Sequence, residues 1–155
     1  MIGYVTIGTN DLERGIAFYD ELLATIEVGR LWAHRNMAAW GTSRSQPVFC
    51  VARPIDGKAA TVGNGAMIAL RVKDHTSVNR LHAKALSLGG SDEGQPGPRG
   101  DHGLYGAYFR DLDGNKLNAY VPKLSRVHRG HKATGTLNST ESDYNESPYR
   151  FRPII

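Results

Sequence analysis

The sequence holds one cysteine, Cys50, so no disulfide can form within the chain, and such usage suits a reducing compartment. Long apolar runs are missing as well. No stretch approaches the roughly 20 residues that a membrane-spanning helix needs. The opening segment, MIGYVTIGTNDLERG, lacks a basic start and takes up charge by Asp11, so it is not expected to act as a signal peptide. A cytoplasmic location is the expectation, with no membrane partner.

A strong charge is also missing from most of the chain. The formal net charge of +4 sits largely at the end. From residue 123 onward, Lys123, Arg126, Arg129, Lys132, Arg150 and Arg152 face only Glu141, Asp143 and Glu146, which leaves residues 1–122 nearly neutral. A nucleic-acid-binding domain presents a basic stripe on its folded part, so nucleic acid is not expected as a partner. The length of 155 residues fits one domain with an adequate core. The Ser-, Asn- and Arg-rich stretch 123–155 is read as a polar, basic tail. It closes on Tyr149-Arg150-Phe151-Arg152-Pro153-Ile154-Ile155, a cluster that could dock on the body or on a partner subunit.

What is present is a pattern that occurs twice. Tyr4-Val5-Thr6-Ile7 reads as a short strand, and Asn10 with Glu13 three residues later reads as a capping box opening a helix. Leu12, Ile16, Tyr19, Leu22 and Leu23 give that helix one apolar face. Strand-prone runs follow near 28–33, 37–40 and 48–53. After the Gly- and Ala-rich link 56–65, Met67 to Val72 alternates as a strand and Asp74 to Thr76 opens a second helix. Val78, Leu81, Ala85 and Leu86 line its inner face, and Gly89-Gly90 ends it. Further strands are expected near 91–94, 105–110 and 116–121, with a hairpin turn at Asp113-Gly114. The stretch between Gly94 and Tyr105 is read as a loop. Two βαβββ units, about 1–55 and 66–122, define an α+β domain whose sheets can surround a cleft.

The wording of the segments adds to this. Gly3-Tyr4-Val5-Thr6-Ile7, then Asn10-Asp11-Leu12-Glu13-Arg14 and Phe18-Tyr19, resembles the opening of vicinal-oxygen-chelate proteins, the glyoxalase/bleomycin resistance/dioxygenase group. Gly106 to Lys116 resembles their closing hairpin, with Leu112 where Pro is usual. The resemblance covers about residues 1–122. It implies paired βαβββ modules that curl a sheet around an open cup, and a homodimer. Enzymes of the group hold a divalent metal in the cup, with His or Glu on the first strand of each half and a carboxylate on a last strand. The bleomycin-resistance members bind a drug without chemistry.

Strand alternation tests whether this chain keeps such a site. Val5 and Ile7 form the apolar set facing the helix, which leaves Tyr4 and Thr6 toward the cup. By the same logic Met67, Ala69 and Arg71 face the cup from the second half, and Lys116, Asn118 and Tyr120 from the last strand. The positions matching the group's metal ligands are Tyr4, Met67 and Asn118. A phenol, a thioether and an amide supply neither the carboxylate nor the imidazole that divalent ions prefer. No metal or other cofactor is therefore expected, a divalent ion being the alternative.

The remaining candidates are fewer. His34, His75 and His82 read as surface or core residues, and His128 with His131 as a solvated pair in the tail. His102 precedes a cup-lining strand and is the one histidine placed near a ligand. Asp111 to Asn115 lacks the Gly and Glu places of a calcium loop and reads as a turn. Cys50 sits in an apolar strand and reads as a buried thiol. Two functions follow. One is a small-molecule binding protein with a metal-free cup lined by Tyr4, Thr6, Met67, Arg71 and Asn118, with Trp32 or Trp40 as an aromatic wall. Arg71 would favour an anionic ligand. The other is a lyase, isomerase or dioxygenase using a displaced or non-standard site, with Tyr4 or His102 as acid or base and Asn118 polarising a carbonyl.

Overall fold

The computed structural model describes residues 1–100 and 103–122. His102, the histidines at 128 and 131, and the segment 123–155 lie outside the described residues. The order of elements is β1 (Tyr4–Gly8), α1 (Leu12–Ala24), β2 (Gly29–His34), β3 (Met37–Gly41) and β4 (Val48–Ala52). The second unit repeats it as β5 (Ile68–Arg71), α2 (His75–Ser87), β6 (Ser91–Arg99), β7 (Leu104–Arg110) and β8 (Lys116–Val121).

Each βαβββ unit builds its own four-stranded sheet, in the orders β1-β4-β3-β2 and β5-β8-β7-β6. The first strand of each unit runs parallel to its last, and the other pairs are antiparallel. The two sheets are separate and do not close into a barrel. This is the paired-module arrangement that the sequence implied.

Both helices start where a side chain can take up a free backbone N–H. The Asp11 carboxylate accepts from the Arg14 amide at 3.0 Å, and Asp74 accepts from the Ser77 amide at 2.7 Å. The cap of α1 is thus Asp11 and not Asn10. Asn10 is employed elsewhere: it accepts from the Ala60 amide at 2.8 Å and donates to the Ala60 carbonyl at 3.2 Å, fastening the link between the units. Gly89, at φ 96°, turns the chain out of α2.

Strand β6 corrects the expected loop after Gly94. It runs to Arg99, with Pro98 opposite Tyr105 and Arg99 opposite Leu104. Pro96 and Pro98 are tolerated because β6 is an edge strand, where a missing N–H costs no ladder bond on the open side. The alternation hides because the register shifts twice, between Asp92 and Gly94 and between Gly94 and Gly97.

One apolar core joins the two units. Leu12, Phe18, Tyr19, Leu22 and Leu23 of α1 pack with Trp40, Phe49 and Val51, while Val78, Leu81 and Ala85 of α2 pack with Phe109, Leu117 and Ala119. Rings of Phe18, Trp40 and Phe49 surround Tyr19 at centroid distances of 5.1, 5.6 and 4.9 Å. Trp40 is fully buried there, and its indole N–H donates to Asp20 at 2.9 Å. It belongs to the core and not to the cup wall, because it lies opposite Phe49 on the helix side of the sheet.

Candidate functional site

The candidate site is the face of each sheet that the helices leave uncovered. Residues paired across a ladder share a face, so register assigns the lining. In the first sheet Thr6 pairs with Cys50, Cys50 with Ala39, Ala39 with Trp32, and Met37 with His34. This face therefore carries Tyr4 and Thr6, with Trp32 and His34 at its far side. Their rings lie 5.2 Å apart. Cys50 is buried on it; loss of water pushes its thiol pKa up, and the neighbouring Thr6 hydroxyl opposes that shift.

In the second sheet Ala69 pairs with Asn118, Asn118 with Tyr108, and Tyr108 with Gly94. Arg71 pairs with Tyr120, and Lys116 with Arg110. The expected alternation is therefore present. Tyr4, Thr6, Met67, Ala69 and Arg71 are exposed, whereas Val5, Ile7, Ile68 and Leu70 are half-buried against the core.

Asn118 stands apart. It is 4 % exposed, and its Oδ1 is buried without a hydrogen-bond partner among the described residues. A buried acceptor without a donor is costly, and such atoms in native proteins call for a water or ligand donor. The bare backbone of Gly106 lies beside it, where an added Cβ would approach Oδ1 to 3.5 Å.

The hollows of this region converge on Met67. A cleft of about 470 Å³ is bounded by the link residues from Val62 to Ala66 together with Met67, Arg110 and Lys116. A smaller one of about 110 Å³ lies between Thr6, Met67 and Lys116, and an apolar one of about 350 Å³ between Val5, Phe49, Met67 and Leu70. Arg71 lines a different hollow with Val28, Lys73 and Ser77. Thr6 and Met67 are thus brought together, while Arg71 opens elsewhere.

Besides Lys116, which alternation already turns to the cup, the structure adds Tyr108, Arg99, Arg110 and Glu93. The Tyr108 ring has the Arg99 guanidinium 5.1 Å and the Lys116 ammonium 5.4 Å from its centroid. Glu93 accepts from Arg110 at 2.6 Å and from Lys116 at 3.2 Å, and these two cations hold its carboxyl below the usual range.

As metal donors the residues do not fit. Tyr4, Met67 and Asn118 offer a phenol, a thioether and an amide, and among the described residues no group of three or more His, Cys, Asp or Glu stands close enough to hold an ion. His82 is buried in the core, its Nε2 2.9 Å from Asp92, and His75 stacks on Tyr105 at 4.0 Å. The turn Asp111–Asn115 is likewise occupied by protein donors. Asp111 accepts from the amides of Asp113 and Asn115 and from the Tyr19 hydroxyl, and Asp113 accepts from the Thr9 hydroxyl at 2.6 Å.

The fold and the repeated unit define a class, and comparison with known proteins gives the family. The profile of the Glyoxalase/Bleomycin resistance protein/Dioxygenase superfamily matches residues 1–119. A glyoxalase/bleomycin resistance protein from Albidiferax ferrireducens T118 is similar at 35% identity, over 78% of this chain and 98% of that one, with a TM-score of 0.72. A glyoxalase-related enzyme from Fulvimarina pelagi (20% identity, 78% and 87% covered, TM-score 0.63) shares the fold. So does a lactoylglutathione lyase from Agrobacterium tumefaciens (16%, 78% and 92%, TM-score 0.59). No curated protein sequence matches. The chain belongs to the glyoxalase/bleomycin resistance protein/dioxygenase superfamily. No helix among the described residues is long and apolar enough to cross a membrane.

Proposed function

We propose that this chain is a cytoplasmic small-molecule binding protein whose cup works without a metal, in the manner of the drug-sequestering members of its family. The observation that carries this is the donor set. The three positions where the family's enzymes place metal ligands hold Tyr4, Met67 and Asn118 on the uncovered faces. They replace charge with aromatic, apolar and amide surface, which is what a ligand pocket needs. Thr6 and Met67 border the same hollow, and Lys116 on its wall adds a positive charge suited to an anionic ligand.

Each chain leaves its two sheet faces open, with Tyr4 68 % and Met67 43 % exposed. A second copy that covers these faces would complete the cup, so a homodimer is part of the proposal.

The test is metal content of untagged protein, followed by titration with zinc, manganese, nickel and iron(II) while the melting temperature is recorded. No stoichiometric metal and no stabilisation by any ion supports the proposal. A tight, stabilising ion overturns it and moves the protein to the lyase, isomerase or dioxygenase side, with His102 as the first ligand to replace. Light scattering at several protein concentrations tests the dimer; a monomer throughout removes that part.

A further inference from the structure

We propose that the uncovered face of the second sheet recognises an organic anion. Its carboxylate or phosphate is held by Arg99 and Lys116 beside the Tyr108 ring, and its apolar body lies in the cleft against Met67. The proposal rests on the small-molecule reading above and adds the head group and the residues that take it.

Charge comes first. The four strands of this sheet carry only two carboxylates, Asp92 and Glu93. Asp92 lies opposite Phe109 on the helix side, where it meets His82. Among the described residues of the sheet, Glu93 is therefore the one carboxylate on the uncovered side against Arg71, Arg99, Arg110 and Lys116. Arg110 is tied down by the protein, its Nε donating to Glu93 and its Nη1 to the Gly114 carbonyl. Lys116 gives one bond to Glu93, and an ammonium has three donors, so it retains capacity for a ligand.

Arg99 is the sharper indication. Among the described residues it forms no ion pair, its guanidinium reaches only the Gln95 carbonyl, and its Nε–H is buried without a partner. A cation over a phenol ring recovers less than a buried, unanswered N–H costs. The backbone nevertheless makes room for this placement. Gly94 lies opposite Tyr108 at φ 156°, and a Cβ there would come within 3.1 Å of both the Arg99 guanidinium and the Tyr108 ring. The strand thus gives up a side chain at the point where a cation and an aromatic ring meet.

The face also offers the complementary group. Asn118, directly opposite Tyr108, holds its unanswered acceptor beside the bare Gly106. A ligand that carries an anion and a hydroxyl or N–H would satisfy Arg99 and Asn118 together. Lys116 belongs both to this group and to the wall of the 470 Å³ cleft, so head group and body are contiguous. That volume is within the range of small-molecule sites.

The experiment is calorimetric titration of the full chain at low ionic strength with three matched probes: phenylacetate, benzylphosphonate and neutral 2-phenylethanol. Both anions, or one of them, should bind at least about tenfold more tightly than the alcohol, and their ratio tells carboxylate from phosphate. Arg99→Gln and Lys116→Gln should each weaken the anion about tenfold and leave the alcohol unchanged, with Arg99→Lys retaining part of the affinity. Circular dichroism confirms that each variant is folded. If the alcohol binds as tightly as the anions, or Arg99→Gln changes nothing, the anion site is wrong and the small-molecule cup stands. If none of the probes binds wild-type protein, the anion site falls, and the small-molecule reading is then decided by the metal titration alone.

Discussion

The Tyr19 hydroxyl of α1 donates a 2.7 Å hydrogen bond to Asp111 at the start of the β7–β8 turn, and so ties the first unit to the second inside the core. Asp111 also receives the Asn115 side-chain amide at 2.8 Å and the amides of Asp113 and Asn115 at 3.0 and 2.8 Å. The carboxylate is buried, and its charge is tolerated because these donors surround it. Tyr19→Phe should cost about 1.5–3 kcal/mol, the usual worth of a hydrogen bond to a charged group, as read by urea unfolding. A change under about 0.5 kcal/mol would show that the bond holds nothing.

The same pair sets a response to alkali. Burial first, then the Asp111 charge and hydrogen bond, raise the Tyr19 pKa well above its ordinary 10.0. The unfolded tyrosine ionises near that ordinary value while the folded one stays protonated. Stability is therefore intact below pH 10 and falls as pH rises beyond it. Tyr19→Phe should remove that part of the alkaline loss, measured as urea midpoints between neutral pH and pH 11.

Acid should act at the other side of the second unit. Asp92 is held below its ordinary 3.8 chiefly by the Gly94 amide and then by His82. A depressed carboxyl adds stability above the ordinary value and loses it as pH falls through the lowered one. The stability gap between wild type and Asp92→Asn should be constant near neutrality and shrink below pH 3.8. A gap that stays constant down to pH 2 would remove Asp92 from the acid response.

The two tryptophans should behave as opposites. Trp40→Ala empties a fully buried site and should cost about 3–5 kcal/mol. Trp32, half-buried on the uncovered face, should change stability by less than about 1 kcal/mol on replacement by Ala. Its fluorescence should then report ligand in the Trp40→Phe background, which keeps the core filled.

Gly90 admits no side chain. A Cβ there would lie 2.6 Å from the Arg110 carbonyl oxygen and 2.9 Å from that of Ala85, both backbone atoms that cannot swing aside. Gly90→Ala should destabilise by about 1–3 kcal/mol, whereas Gly29→Ala, with open space around it, should cost little. Paired thermal melts of the two variants check this.

The repeat, both helices and the strand faces were legible in the sequence because alternation and helical spacing come directly from which side meets the core. Asn10 and Asp11 are both good caps, and nothing local says that Asn10 is wanted by Ala60, so the helix start was misplaced by one residue. Strand β6 hides its pairing behind two register shifts and two prolines, and Arg99 disappears with it. Lys116 was already turned to the cup by alternation, and Tyr108 was within reach, since the Asp113-Gly114 turn fixes the hairpin register that sets Tyr108 against Asn118. Trp40 could not be placed by type alone, because an aromatic on a strand serves the core or the cup equally well.

The bonds from Thr9, Asn10 and Arg14 to Asp113, and from Asn115 to the Gly8 carbonyl, span roughly a hundred residues of chain. Synthesis runs from the N-terminus, so the first unit leaves the ribosome long before its partners exist. Its β1–α1 corner must wait, with the polar ends of Thr9 and Asn10 in water, until the closing hairpin arrives. Such distant closure slows folding. The β1–α1 corner is therefore fastened among the last of the folding steps, although β1 itself pairs with β4 inside the first unit, and a truncation that removes the closing hairpin should leave that corner loose.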